Sequence, residues 1–139
     1  MKTHVLCGMA ALLLVGSLRA EERPHHEGAP LPIAIPILSE PLSGHQGKEV
    51  LILSVEFPPG AVDPVHRHDA HAFVYVLEGS IVMGVAGGRE VVLGPGQTFQ
   101  ERPEDLHTVG RNASSSQPAK FLAFLIKDAG KPAVIPVEH

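Results

Sequence analysis

The sequence predicts an all-β domain, a small barrel or sandwich, from three observations. Short runs rich in Val, Ile, Leu and Phe recur between residues 50 and 126, each ended by a turn signal. No stretch sustains a 3.6-residue apolar period over three turns, so no amphipathic helix is expected. Glycine (14) and proline (13) are frequent, which suits a chain that reverses direction often. With 139 residues there is enough chain for one domain and not for two.

The elements follow in order. Residues 1–20 differ in kind from the rest: Lys2 and His4 precede an apolar run from Val5 to Leu18, and Ala20 is followed by Glu21-Glu22-Arg23. A basic start, a short apolar stretch and a small residue at the exit predict a secretory signal peptide. Leu18 is bulky for a position three before the cut, and an uncleaved anchor is the alternative. Cleavage implies a secreted or periplasmic protein with no membrane association. Residues 21–47 are expected to be an N-terminal extension, polar at first and including His25-His26, which reads as a solvated tail. Its Leu31 to Leu38 segment carries a proline at every second or third place, which excludes a helix or a central strand. That leaves an edge strand or an extended arm, packed on its own barrel or on a second subunit.

Strands are expected at Val50 to Phe57, Phe73 to Leu77, Ile81 to Val85, Glu90 to Leu93, Thr98 to Glu101, Leu106 to Val109 and Phe121 to Ile126. Pro58-Pro59-Gly60, Glu78-Gly79 and Gly94-Pro95-Gly96 separate them, and Ala86-Gly87-Gly88-Arg89 has the composition of a hairpin turn. The barrel is thus placed at 48–127, with a C-terminal tail at 128–139. Most of Phe57, Phe73, Tyr75, Phe99, Phe121 and Phe124 are expected to pack the core.

Charge and cysteine content narrow the function classes. The net charge is −4 and the basic residues form no stripe, so nucleic-acid binding is not expected. Cys7 is the only cysteine, so the mature chain has neither disulfide nor thiolate ligand. A metal here must be held by histidine or by oxygen donors.

The histidines supply the chemistry. In His66-Arg67-His68 two imidazoles stand two residues apart, on the same side of an extended strand. His107 on a neighbouring strand brings a third. Three nitrogens converging in a small barrel make a metal site with coordination positions left for substrate. Surface histidines near a strand end are the plain alternative.

These residues resemble the cupins, small double-sheet jelly-roll (double-stranded β-helix) barrels that hold a metal. Gly60, His66, His68 and Gly79 match the spacing of the first cupin motif, and Gly96 and His107 that of the second. The resemblance covers about residues 48 to 127, and it implies a divalent metal on His66, His68 and His107, a small-molecule ligand or substrate, and a homodimer. The departures bear on function. The glutamate of the first motif is replaced by Ala72. Arg102 and Glu104 stand at the proline and glycine of the second, and Arg111 at its asparagine, with Asn112 one place on. Glu101 is the best replacement carboxylate, against a rim salt bridge with Arg67 or Arg102. Gln100 is a weaker candidate. His71 is one register off and reaches the site only through a β-bulge.

Three neutral imidazoles leave the metal its full charge, and a carboxylate ligand would reduce it by one. Ligand type alone accommodates Fe, Mn, Co, Ni, Cu or Zn. A redox metal would suit dioxygenase-like chemistry, and a non-redox metal Lewis-acid chemistry, on a small oxygen-rich molecule. A non-catalytic metal or small-molecule sensor and a metal-free barrel are the other readings.

Overall fold

The computed structural model describes residues 28–137. The expected leader and His25-His26 lie outside them. Ten strands form two five-stranded antiparallel sheets and no helix is present among the described residues. One sheet has the order β1 (Ile33–Pro41), β2 (Lys48–Phe57), β9 (Ala119–Asp128), β4 (Ala70–Glu78), β7 (Thr98–Glu101). The other runs β10 (Ile135–Pro136), β3 (His66–Arg67), β8 (Leu106–Asn112), β5 (Ile81–Val85), β6 (Val91–Leu93). This is the jelly-roll expected from the sequence.

Cross-strand registry decides which side chains face inward. One inner row across the first sheet runs Leu51, Leu125, Ala72, Glu101, and the next runs Pro36, Leu53, Ala123, Val74. Because side chains alternate along a strand, the rows between them face outward. The row Leu38, Ile52, Phe124, Phe73 is outward and apolar. The aromatics therefore divide. Phe57 and Phe121 meet edge to face in the core with centroids 5.1 Å apart, as expected. Phe73 and Tyr75 are exposed on the outer face instead, because odd-numbered β4 positions alternate with the buried Ala72, Val74 and Val76.

The proline-rich run becomes β1, an edge strand paired antiparallel with β2, with a bulge between Pro36 and Leu38. Its Ile33, Ile35 and Ile37 are all at least half exposed. Gly79 makes the β4–β5 turn possible. Its φ is +68°, and a Cβ there would lie 2.5 Å from the Pro118 carbonyl oxygen. The C-terminal segment folds back on the barrel. Buried Lys127 pairs with Glu49 and donates to the Lys131 carbonyl, and β10 then pairs with β3.

Candidate metal centre

β3 and β8 pair so that His66 lies directly opposite His107. His68, two residues beyond His66, points to the same side. One nitrogen from each ring converges, all three within 4.8 Å of one another. His66 Nε2 is 3.1 Å from His68 Nε2 and 3.3 Å from His107 Nδ1. All three rings lie within the barrel wall, His66 and His107 almost fully buried.

The outward nitrogens fix the tautomers. His66 Nδ1 donates to the Pro64 carbonyl (2.8 Å), His68 Nδ1 to Ala133 (2.6 Å) and His107 Nε2 to Val109 (2.7 Å). A carbonyl can only accept, so each of these nitrogens carries a proton, and in the neutral ring the converging nitrogen is then the lone pair. Burial and the neighbouring His66 hold the His107 imidazole down to about 4, and burial lowers His68 as well. His107 is neutral at pH 7, as metal ligation requires.

A carboxylate approaches the three nitrogens from the opposite sheet. Glu101 ends β7 facing inward and is only 3% exposed. Its Oε2 lies 3.6 Å from His68 Nε2 and 3.5 Å from His107 Nδ1, and it has no hydrogen-bond partner. Burial, reinforced by Asp63 and Asp105, pushes its carboxyl up to about 7. Ala72, where the motif's glutamate would stand, is the registered partner of Glu101. Directly opposed residues share a face, with Cβ atoms about 5 Å apart. A carboxylate thus remains in the site, carried by the neighbouring strand. Among the described residues no arginine pairs with it: its basic partners within 4 Å are His68 and His107, and its Oε2 accepts no hydrogen bond. The rim salt bridge considered for Glu101 is not formed.

The other candidates fall outside the site. His71 sits in regular register opposite Ile126 on the outer face, so no bulge turns it inward. Gln100, opposite Phe73, also faces out. Asn112 is structural: its Nδ2 donates to the carbonyls of Phe57, Pro58 and Gln117, and its Oδ1 accepts from Ser114 N–H. It thereby ties the loops beside the site together.

Two participants escaped the sequence reading. Asp63, in the turn before His66, lines the cavity, with Oδ1 3.8 Å from His66 Nδ1. The tail supplies the Ala133 carbonyl that orients His68, and Val134 of the cavity wall. No local sequence signal marks either, because Asp63 is placed by its backbone bond to Gly110 on β8 and the tail by the pairing of β10 with β3.

The donors stand at a cavity of about 270 Å³ between the sheets. Three imidazole lone pairs and a partnerless carboxylate oxygen would repel one another if nothing bound among them. An N₃O donor set of this kind fits a divalent transition metal.

The cupin domain model matches residues 53–125, and this chain belongs to the cupin family. No curated protein matches the sequence. Solved structures with the same fold include a cupin-like protein from Thermotoga maritima, with a TM-score of 0.61 and 15% identity over 76% of this chain and 75% of that one. The dimethylsulfoniopropionate (DMSP) lyase DddQ from Ruegeria pomeroyi has a TM-score of 0.61 and 18% identity over 83% of this chain. This chain spans 59% of that enzyme's length. A protein from Thermus thermophilus has a TM-score of 0.55 and 25% identity over 76% of this chain and 90% of that one. The first two likenesses show the fold.

Proposed function

We propose that this protein is an exported metal-dependent enzyme in which His66, His68, His107 and Glu101 hold one divalent metal and a small oxygen-bearing substrate completes the coordination from the cavity. The observation that carries this reading is the partnerless Glu101 Oε2 facing three bare imidazole nitrogens beside open space. Bound there, a metal supplies Lewis acidity and, when redox-active, access to dioxygen chemistry.

The chain's own residues do the rest. The three backbone carbonyls hold the imidazoles in the ligating tautomer before metal arrives. Apolar walls from Val74, Phe121 and Leu125 keep water from the reacting groups. Asp63, whose carboxyl is raised by burial against the opposing pull of His66, stands at the cavity as a candidate proton acceptor. A sensor with a coordinatively closed metal would not need the cavity.

The test is water-proton relaxation of the Mn(II)-loaded protein. Open positions taken by exchanging water give enhanced relaxation over free Mn(II), and a saturated site gives none and contradicts the enzyme reading.

We further propose a homodimer that buries the outer face of the β1–β2–β9–β4–β7 sheet. Ile35, Leu38, Phe73, Tyr75 and Ile126 are exposed on it in neighbouring cross-strand rows, an apolar patch of the kind that marks an interaction surface. Light scattering should give twice the chain mass, falling to one chain with Ile126→Asp. A monomeric wild type contradicts it.

A further inference from the structure

The cavity wall carries a second message, about what the site accepts. Its polar side chains are Asp63, His66, His68, Glu101 and His107, all grouped about the candidate metal centre. The rest of the wall is apolar, including Leu53, Val55, Val74, Met83, Phe121 and Leu125. Among the described residues none of the lining side chains is Lys, Arg, Ser, Thr, Tyr, Asn or Gln.

Resting on the metal reading above, we propose that the substrate is a small molecule with its oxygen donors together at one end of an apolar body: a short-chain monocarboxylate or similar single-headed ligand, and neither a polyol nor a dicarboxylate. The head group reaches the metal, where its oxygens and charge are met. The body meets only hydrocarbon. A hydroxyl or second carboxylate on that body would be buried with no donor or cation to receive it, a loss that sites without matching polar groups impose strongly. At about 270 Å³ the cavity lies near the lower end of small-molecule pockets, about 300–1,000 Å³. A chain of a few carbons therefore fills it.

The rim is built from segments far apart in the sequence. Leu31, Pro32 and Ala34 contribute from the β1 side and Val134 from the β10 side, so the apolar character extends to the mouth.

The experiment uses the zinc-loaded protein and ligand-observed NMR with acetate, butyrate and hexanoate beside succinate and adipate. Zinc content is measured first on the same sample. Affinity should rise about fourfold per methylene along the monocarboxylates until the cavity is full. Adipate should bind at least tenfold more weakly than hexanoate. Ala34→Phe, at an exposed edge-strand position on the rim, should weaken hexanoate at least tenfold and leave acetate and zinc content unchanged.

A flat series, adipate binding as tightly as hexanoate, or hexanoate indifferent to Ala34→Phe would each overturn the proposal while the zinc content stands. Failure to retain zinc would instead overturn the metal reading, and this inference with it.

Discussion

Replacing Glu101 with glutamine should change two properties in opposite directions. The side chain keeps its shape and loses its charge. A carboxylate about 4 Å from a dication, at an effective dielectric constant of about 20, contributes about 8 kcal/mol. Cation dehydration and the amide oxygen left in place offset more than half of this. About 3 kcal/mol remains, or about two orders of magnitude in metal Kd.

Without metal, the same carboxylate is a liability. Its folded pKa is raised from the ordinary 4.5 to about 7 by burial and by Asp63 and Asp105. Between those values the native state holds a proton that the unfolded chain has lost, so this group makes stability fall as pH rises from about 4.5 to 7. Above that window the loss amounts to about 3 kcal/mol. His107 acts oppositely. Lowered from 6.5 to about 4, it makes stability rise with pH across that interval. These two contributions nearly cancel in the wild type, and Glu101→Gln removes the falling one.

Chelator competition at pH 7.5 reads the first effect, and urea unfolding of the metal-free protein from pH 4.5 to 8 reads the second. The variant should bind metal about a hundredfold more weakly. Metal-free, it should be more stable than wild type above pH 7, the difference vanishing near pH 4.5. Unchanged metal affinity, or a metal-free variant less stable at pH 8, would refute the reasoning by showing that Glu101 has a stabilising partner within the protein.

The cross-strand pairing of Ala72 with Glu101 makes a rescue possible. Glu101→Ala alone should weaken metal binding about a hundredfold, and adding Ala72→Glu should recover most of that, since directly opposed residues share a face. Removing residues 133–139 deletes the carbonyl that orients His68; chelator competition should show metal affinity about 10–100-fold lower in a barrel that still folds. Asn112→Ala should cost about 3 kcal/mol in urea unfolding, because it leaves buried carbonyl groups unpaired. At low temperature it should still bind one metal, since Asn112 touches no donor atom.

The fold was legible because hydrophobic runs and turn residues are local signals. Ile81 to Val85 and Thr98 to Glu101 form with the bounds their composition predicts, and the Gly87-Gly88 turn joins β5 to β6. Some strands extend beyond the bounds that composition predicts. Ala70, His71 and Ala72 lack the bulk of strand formers, yet they pair with β9 because the sheet needs them there. The convergence of His66, His68 and His107 was legible too, since the H-x-H spacing and one cross-strand pair suffice to build it. The carboxylate was harder. Glu101 was identifiable as a candidate by position along β7, but its apposition to Ala72 is a registry fact that one strand's sequence does not contain. The roles of Ala133, Val134 and Asp63 were illegible for the same reason. They arise from contacts between segments far apart in the chain.

The most direct test of the central claim is elemental analysis of the tag-free protein beside a His66→Ala/His68→Ala variant, both reconstituted with divalent metals and desalted. The account predicts close to one metal per chain in the wild type and almost none in the variant. Equal metal content in the two, or none in a folded wild type after reconstitution, would contradict it.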